Sequence, residues 1–78
     1  GLRCRASMAG IVLDRFGQDV ALVPADEDTF TLRVPVVVSP QFFAWVFGFG
    51  PEAEILSPGD VRTSFAEYLH SIENMYKA

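Results

Sequence analysis

Leu2, Cys4 and Ala6 alternate with Arg3 and Arg5, a period of two that predicts a short half-buried strand with one apolar and one cationic face. The period then lengthens. Met8, Ile11, Val12 and Phe16 recur at helical spacing, with Ser7 placed to cap the segment and Gly17 to end it, so a first helix is predicted over 7–16. A second strand is predicted over 19–23. It runs into Pro24, and because proline cannot donate to a ladder, this strand belongs at a sheet edge. Asp26, Glu27 and Asp28 form a turn, after which residues 29–34 alternate again with Phe30, Leu32 and Val34 inward.

Pro35 would remove a ladder hydrogen bond, so the third strand ends or bulges there, and Val36 to Val38 become an apolar connector whose pairing stays open. Ser39-Pro40 has the form of a helix entry, serine as N-cap and proline in the first turn, and predicts a second helix to about Phe49, stopped by Gly50 and Pro51. Residues 53–56 read as a fourth strand. Ser57-Pro58-Gly59-Asp60 repeats the serine-proline entry with an acid placed as in a capping box, and Val61, Phe65, Leu69, Ile72 and Tyr76 form the stripe of a third helix. The order β-α-β-β-α-β plus a C-terminal helix predicts an α+β fold, a ferredoxin-like split βαβ sandwich with antiparallel sheet order 4-1-3-2. That order puts the second strand at an edge, in agreement with Pro24.

With 78 residues the chain is one domain, and a domain of this size buries only roughly 60% of the surface its unfolded chain exposes. Seven phenylalanines make it rich in apolar surface, some of which is expected to meet a partner. The net charge of −4 argues against a module that binds promoter DNA through bulk positive charge. Cys4 is the single cysteine, so neither an internal disulfide nor a paired-thiol zinc site is available, which fits a cytoplasmic setting. No run approaches the ~18 to 20 apolar residues of a membrane span. The chain opens Gly1-Leu2-Arg3 directly into strand-like sequence, and this start is expected of a C-terminal piece of a longer protein.

Leu32-Arg33-Val34, then Trp45-Val46-Phe47-Gly48-Phe49-Gly50-Pro51, Glu54-Ile55-Leu56-Ser57-Pro58 and Val61-Arg62 together resemble the C-terminal extension (WCX) that follows WYL domains in bacterial transcriptional regulators. The resemblance spans nearly the whole chain and is densest in the run from Gly50-Pro51 to Pro58. It implies a regulator with a winged helix-turn-helix domain first, a WYL domain next and this extension last, assembled as a homodimer and sensing a ligand that in some members is a nucleic acid. Here the helix-turn-helix and the WYL core are absent, so this segment alone is expected neither to bind promoter DNA nor to hold a complete effector site.

Two constellations are candidates for function. Arg3, Arg5 and Arg33 point away from the apolar face on strands expected to be central neighbours, with Thr29 and Thr31 beside them; clustered guanidiniums suit bidentate capture of phosphates of a nucleotide or a single-stranded nucleic acid. The plainer reading is a solvated sheet face with an arginine paired to Glu54, and the face lacks the aromatic residues on which RNA-recognition sheets stack bases. The second helix carries more apolar residues than one buried stripe needs. Phe42, Val46 and Phe49 make one line and Phe43 and Phe47 another, so Phe43, Phe47 and the adjacent Trp45 are candidates for an interface with a second subunit or the preceding WYL domain. Alternatively the third helix covers both lines.

The remaining reactive residues have simpler explanations. His70 lies between Glu67 and Glu73 on a polar helix face, too few ligands for a metal. The acidic turn lacks the spaced donors of a calcium loop. Cys4 reads as a small buried hydrophobe, Ser7, Ser39 and Ser57 as helix caps, and no glycine-rich phosphate loop is present. No cofactor, metal site or catalytic constellation is predicted. The expectation is a non-enzymatic regulatory domain, and the alternative is a standalone ferredoxin-like module for small-molecule binding or oligomerisation.

Overall fold

The structure, a computed structural model, describes residues 1–77. Its order is β1 (Leu2–Arg5), a 3-10 turn (Ala6–Met8), α1 (Ala9–Phe16), β2 (Val23–Pro24), β3 (Thr29–Leu32), α2 (Pro40–Phe47), a second 3-10 turn (Gly50–Glu52), β4 (Ala53–Ile55) and α3 (Gly59–Met75). The four strands form one sheet in the order β2-β3-β1-β4, with every pair antiparallel. The fold is therefore α+β with the sheet order that the sequence predicts.

Side-chain alternation in β1 separates the two faces of this sheet. Leu2 and Cys4 are buried while Arg3 and Arg5 are exposed, and the same period puts Phe30 and Leu32 of β3 and Ala53 and Ile55 of β4 on the buried side. Met8 and Val12 from the first helical segment and Phe42, Phe43 and Val46 from α2 close over these six residues. No polar or charged side chain lies in that core among the described residues.

The ladder also explains how the edges tolerate their residues. Ala25 donates to the Thr29 carbonyl at 3.0 Å, and hydrogen-bonded pairs alternate with non-bonded ones along an antiparallel ladder. The Pro24–Phe30 pair is thus a non-bonded one, and the position where Pro24 lacks an N–H faces away from β3. At the opposite edge, the Leu56 amide donates to Gly1 at 2.8 Å, so the Leu2–Ile55 pair is non-bonded and the Ile55 carbonyl points outward. Arg62 of α3 donates to that carbonyl at 2.8 Å.

Four expectations need correction. β2 is two residues long instead of five, because residues 19–22 do not pair with β3. β3 ends at Leu32, and Val36 to Val38 do not pair as a strand; Val37 is 84% exposed while Val36 packs on the core. Helix α2 ends at Phe47, and the chain then tightens into the 3-10 turn, where Gly50 holds a φ of 55° that favours glycine. Of the serines, only Ser39 caps: its Oγ accepts from the Phe42 amide at 3.2 Å. Ser7 sits inside the first 3-10 turn, and the position before α3 is taken by Pro58 in extended conformation, one residue beyond Ser57.

The stripe on α3 is also shifted. Val61, Phe65 and Tyr68 pack against the core, whereas Tyr76 is fully on the surface and no α3 residue is buried. Tyr68 takes the place expected of Leu69: its ring, like that of Phe65, meets Phe43.

The capping difference has a measurable consequence. Ser39→Ala should lower unfolding stability by about 1 kcal/mol, and Ser57→Ala by less than about 0.5 kcal/mol, both read from chemical-denaturation midpoints. Equal losses at the two serines would contradict the cap assignment.

Candidate functional site

The outward face of the sheet begins with β1, whose Arg3 stands opposite Thr31 of β3 and whose Arg5 stands opposite Thr29. Since Ala6 donates to Asp28 at 2.6 Å, alternation makes Arg3–Thr31 a non-bonded pair, the type in which facing side chains are closest. Arg33 follows β3 directly and is exposed. It lines a shallow cleft of about 490 Å³ with Thr31, Val23, Ala21 and Leu56. Arg3 and Arg5 thus share the outward face with Thr31 and Thr29, and Arg33 shares a cleft with Thr31.

This face carries acid as well as base. On the other flank of β1, Glu54 is paired with Arg3 in the ladder, and Arg3 Nη2 lies 2.8 Å from Glu54 Oε1. The second carboxylate oxygen, Oε2, accepts from Arg62 Nη1 at 2.7 Å. Arg62 reaches it from α3 around the free edge of β4, using the same nitrogen that meets the Ile55 carbonyl. Arg5 Nε lies 3.6 Å from Glu52 Oε2. Among the described residues Arg33 makes no ion pair. The two guanidiniums of β1 are therefore engaged and the one after β3 is available.

The hydrogen bonds from Arg62, and then from Arg3, hold the Glu54 carboxyl below the usual carboxylate range. Asp26 is also held low, because its Oδ1 accepts from the Asp28 amide at 2.8 Å and the Thr29 amide at 3.0 Å. The acidic turn spends this carboxylate on its own backbone, as an Asx turn does. Burial pushes the Cys4 thiol up, which disfavours the nucleophilic thiolate. His70 Nδ1 is 3.9 Å from Glu73 on the surface of α3. No group of three or more His, Cys, Asp or Glu side chains able to hold a metal ion occurs among the described residues.

The three aromatic candidates on α2 separate. Phe43 is only 8% exposed and sits under α3, its ring 5.2 Å from Phe65 and 5.5 Å from Tyr68. It belongs to the core of this chain instead of an open patch. Trp45 is half-buried between Phe16 at 5.4 Å and Phe49 at 5.0 Å, with the Arg15 guanidinium 5.6 Å above its ring. Phe47 remains 49% exposed. Helix α3 thus covers one of these positions and leaves another open.

Sequence reasoning named Glu54 as a partner for an arginine of the face, without saying which, and the structure shows it to be Arg3; it missed Arg62 and Glu52. Glu52 had a signal: continuing the Arg3–Glu54 register by two residues sets Arg5 against it. Arg62 had none of comparable strength, since its reach depends on how α3 passes the edge of β4.

The model for the WCX domain family matches residues 1–72. No curated protein and no solved structure matches the chain. No helix of the described residues is long and apolar enough to cross a membrane.

The depressed carboxyls set a pH dependence. With its folded pKa below the unfolded one, Glu54 adds stability that is present above the unfolded pKa and lost as pH falls through the folded value. Melting temperature should therefore drop between about pH 5 and about pH 3, and Glu54→Gln should flatten part of that drop. Superimposable pH profiles for the two proteins would remove Glu54 as a contributor.

Proposed function

The chain belongs to the WCX domain family, and from that membership we propose that it is the non-catalytic regulatory domain of a WYL-type bacterial transcriptional regulator, working in the cytoplasm. We read its architecture as the split βαβ of ferredoxin-like folds, since β1 lies between β3 and β4 and runs antiparallel to both. WCX domains are regulatory and not catalytic; here Cys4 is buried and Ser39 caps α2.

The proposed work of the domain is effector sensing through the open sheet face, with the phosphates of a nucleotide or single-stranded nucleic acid as the ligand groups. One observation carries this reading. Arg33 is exposed and without an acidic partner among the described residues, beside Thr31 and on the same face as Arg3 and Arg5. A guanidinium offers a fork of donors matched to phosphate oxygens, and a threonine hydroxyl adds another donor. The net charge of −4 speaks for a local platform over a broad nucleic-acid-binding surface.

Replacing Arg3, Arg5 and Arg33 together by glutamine in the intact protein should weaken binding of short single-stranded oligonucleotides or nucleotides by at least about tenfold. It should also flatten the dependence on salt, as expected when phosphate contacts are lost. Affinity and salt slope equal to wild type would remove the platform.

Phe47, with the exposed edge of Trp45, is the proposed contact to the second subunit of a homodimer or to the preceding WYL domain; a half-exposed phenylalanine beside a tryptophan is the kind of aromatic anchor that interfaces favour. Phe47→Asp should reduce the dimer fraction of the intact protein in light scattering or lower the stability of the domain pair. An unchanged mass and an unchanged melting curve would exclude Phe47 from both contacts.

A further inference from the structure

On the sheet face, Glu54 holds Arg3 with one carboxylate oxygen and Arg62 with the other, at 2.8 and 2.7 Å. We propose that this carboxylate is an internal competitor for the anion site: it occupies Arg3 while the face is empty and yields Arg3 to an incoming phosphate, keeping Arg62 as its own partner. The inference rests on the platform reading above and adds to it how the site is set between empty and occupied.

Three features lead to this exchange. The first is the division of the carboxylate between two arginines on different elements, one on β1 and one on α3. Breaking a charge pair is expensive when it strands a charge without a partner; here the departure of Arg3 leaves Glu54 bonded to Arg62, and Arg62 is fixed in place by the Ile55 carbonyl. The second is exposure. Arg3 and Glu54 side chains are 44% and 40% exposed, so the contact between them is the weak, solvent-screened kind that a phosphate can replace. The third is the position of Arg33. It lies two residues beyond Thr31, which faces Arg3, so its backbone stands about 7 Å further along the sheet. A phosphate held first by the available Arg33 is then close enough for Arg3 to swing across the same face.

A simpler view treats both contacts as surface ion pairs with no bearing on ligands. The two views differ in sign. If the pairs merely orient Arg3, neutralising Glu54 releases the arginine into disorder and binding stays level or weakens. If Glu54 competes, neutralising it strengthens binding. Any lost negative charge also raises the general attraction for anions, so the comparison needs a charge-matched change elsewhere. Glu73, paired with Lys77 near the end of α3, supplies it.

The experiment is a titration of the intact protein with a short oligothymidylate, followed by fluorescence anisotropy at fixed low salt, and with inorganic pyrophosphate by calorimetry. Glu54→Gln should bind about two- to fivefold more tightly than wild type, the size of one exposed ion pair, and Glu73→Gln should not. Arg62→Gln should weaken binding, because Glu54 then grips Arg3 alone, and should lose that effect in the Glu54→Gln background. Tightening with both probes assigns the face to phosphate itself; tightening with the oligothymidylate only assigns it to a single strand. Affinity of Glu54→Gln level with or below wild type, while Arg33→Gln still weakens binding, would overturn the exchange and leave the platform standing. Absence of binding in both wild type and Glu54→Gln, or binding indifferent to Arg33, would overturn both.

Discussion

β1 is paired on both flanks, with β3 over four residue positions and with β4 over three, and its register therefore decides which side chains of the whole sheet face the core. A slip of one residue would turn Arg3 and Arg5 inward and Leu2 and Cys4 outward, which a core without any polar group could not accept. The neighbours are locked to the same choice. Phe30 and Leu32 must face Cys4 and Leu2, so Thr29 and Thr31 must share the outer face with the arginines. The apolar core and the charged face are two consequences of one alternation. A change that preserves the first also preserves the second.

The edges of the sheet follow a different logic, and one of them bears on the candidate site. At β2 the backbone position facing outward belongs to Pro24, which has no donor to offer a second chain. At β4 the outward Ile55 carbonyl is taken by Arg62, a residue of the helix that follows. Because Arg62 also bonds Glu54, the covering of a sheet edge and the charge state of the open face are joined in one side chain.

Much of this arrangement was legible in the sequence. The alternation of residues 2–5 and 29–32, the edge position of a strand ending in Pro24, and the serine-proline entry at Ser39 each rest on local stereochemistry, which neighbours in the chain determine. The same motif failed at Ser57. There the tertiary course of the chain overrode it: the Ser57 carbonyl and amide tie the segment to Gly1, and the helix starts beyond Pro58. Phe43 could not be separated from Phe47 by periodicity, since the two share a helical face and only the path of α3 decides which is covered. The arginines were placed on their face by alternation alone, but which acid each β1 arginine meets depends on bringing β1 and β4 together from about 50 residues apart, and the role of Arg62 on how α3 passes the edge of β4.

The difference in exposure between core and face separates what holds the fold from what charges its surface in this small domain. Each ion pair on the face involves side chains roughly half exposed, and such a pair contributes at most about 1 kcal/mol. A single buried valine such as Val12, fully shielded beneath the sheet, is worth more through its burial, at about 1.5 to 3 kcal/mol. The charges can therefore be redistributed at little cost to the fold, while the strand alternation that positions them is held by the core. In a chain of this length the margin of stability is narrow, and a charged face built from surface pairs on a rigid central strand makes small demands on it.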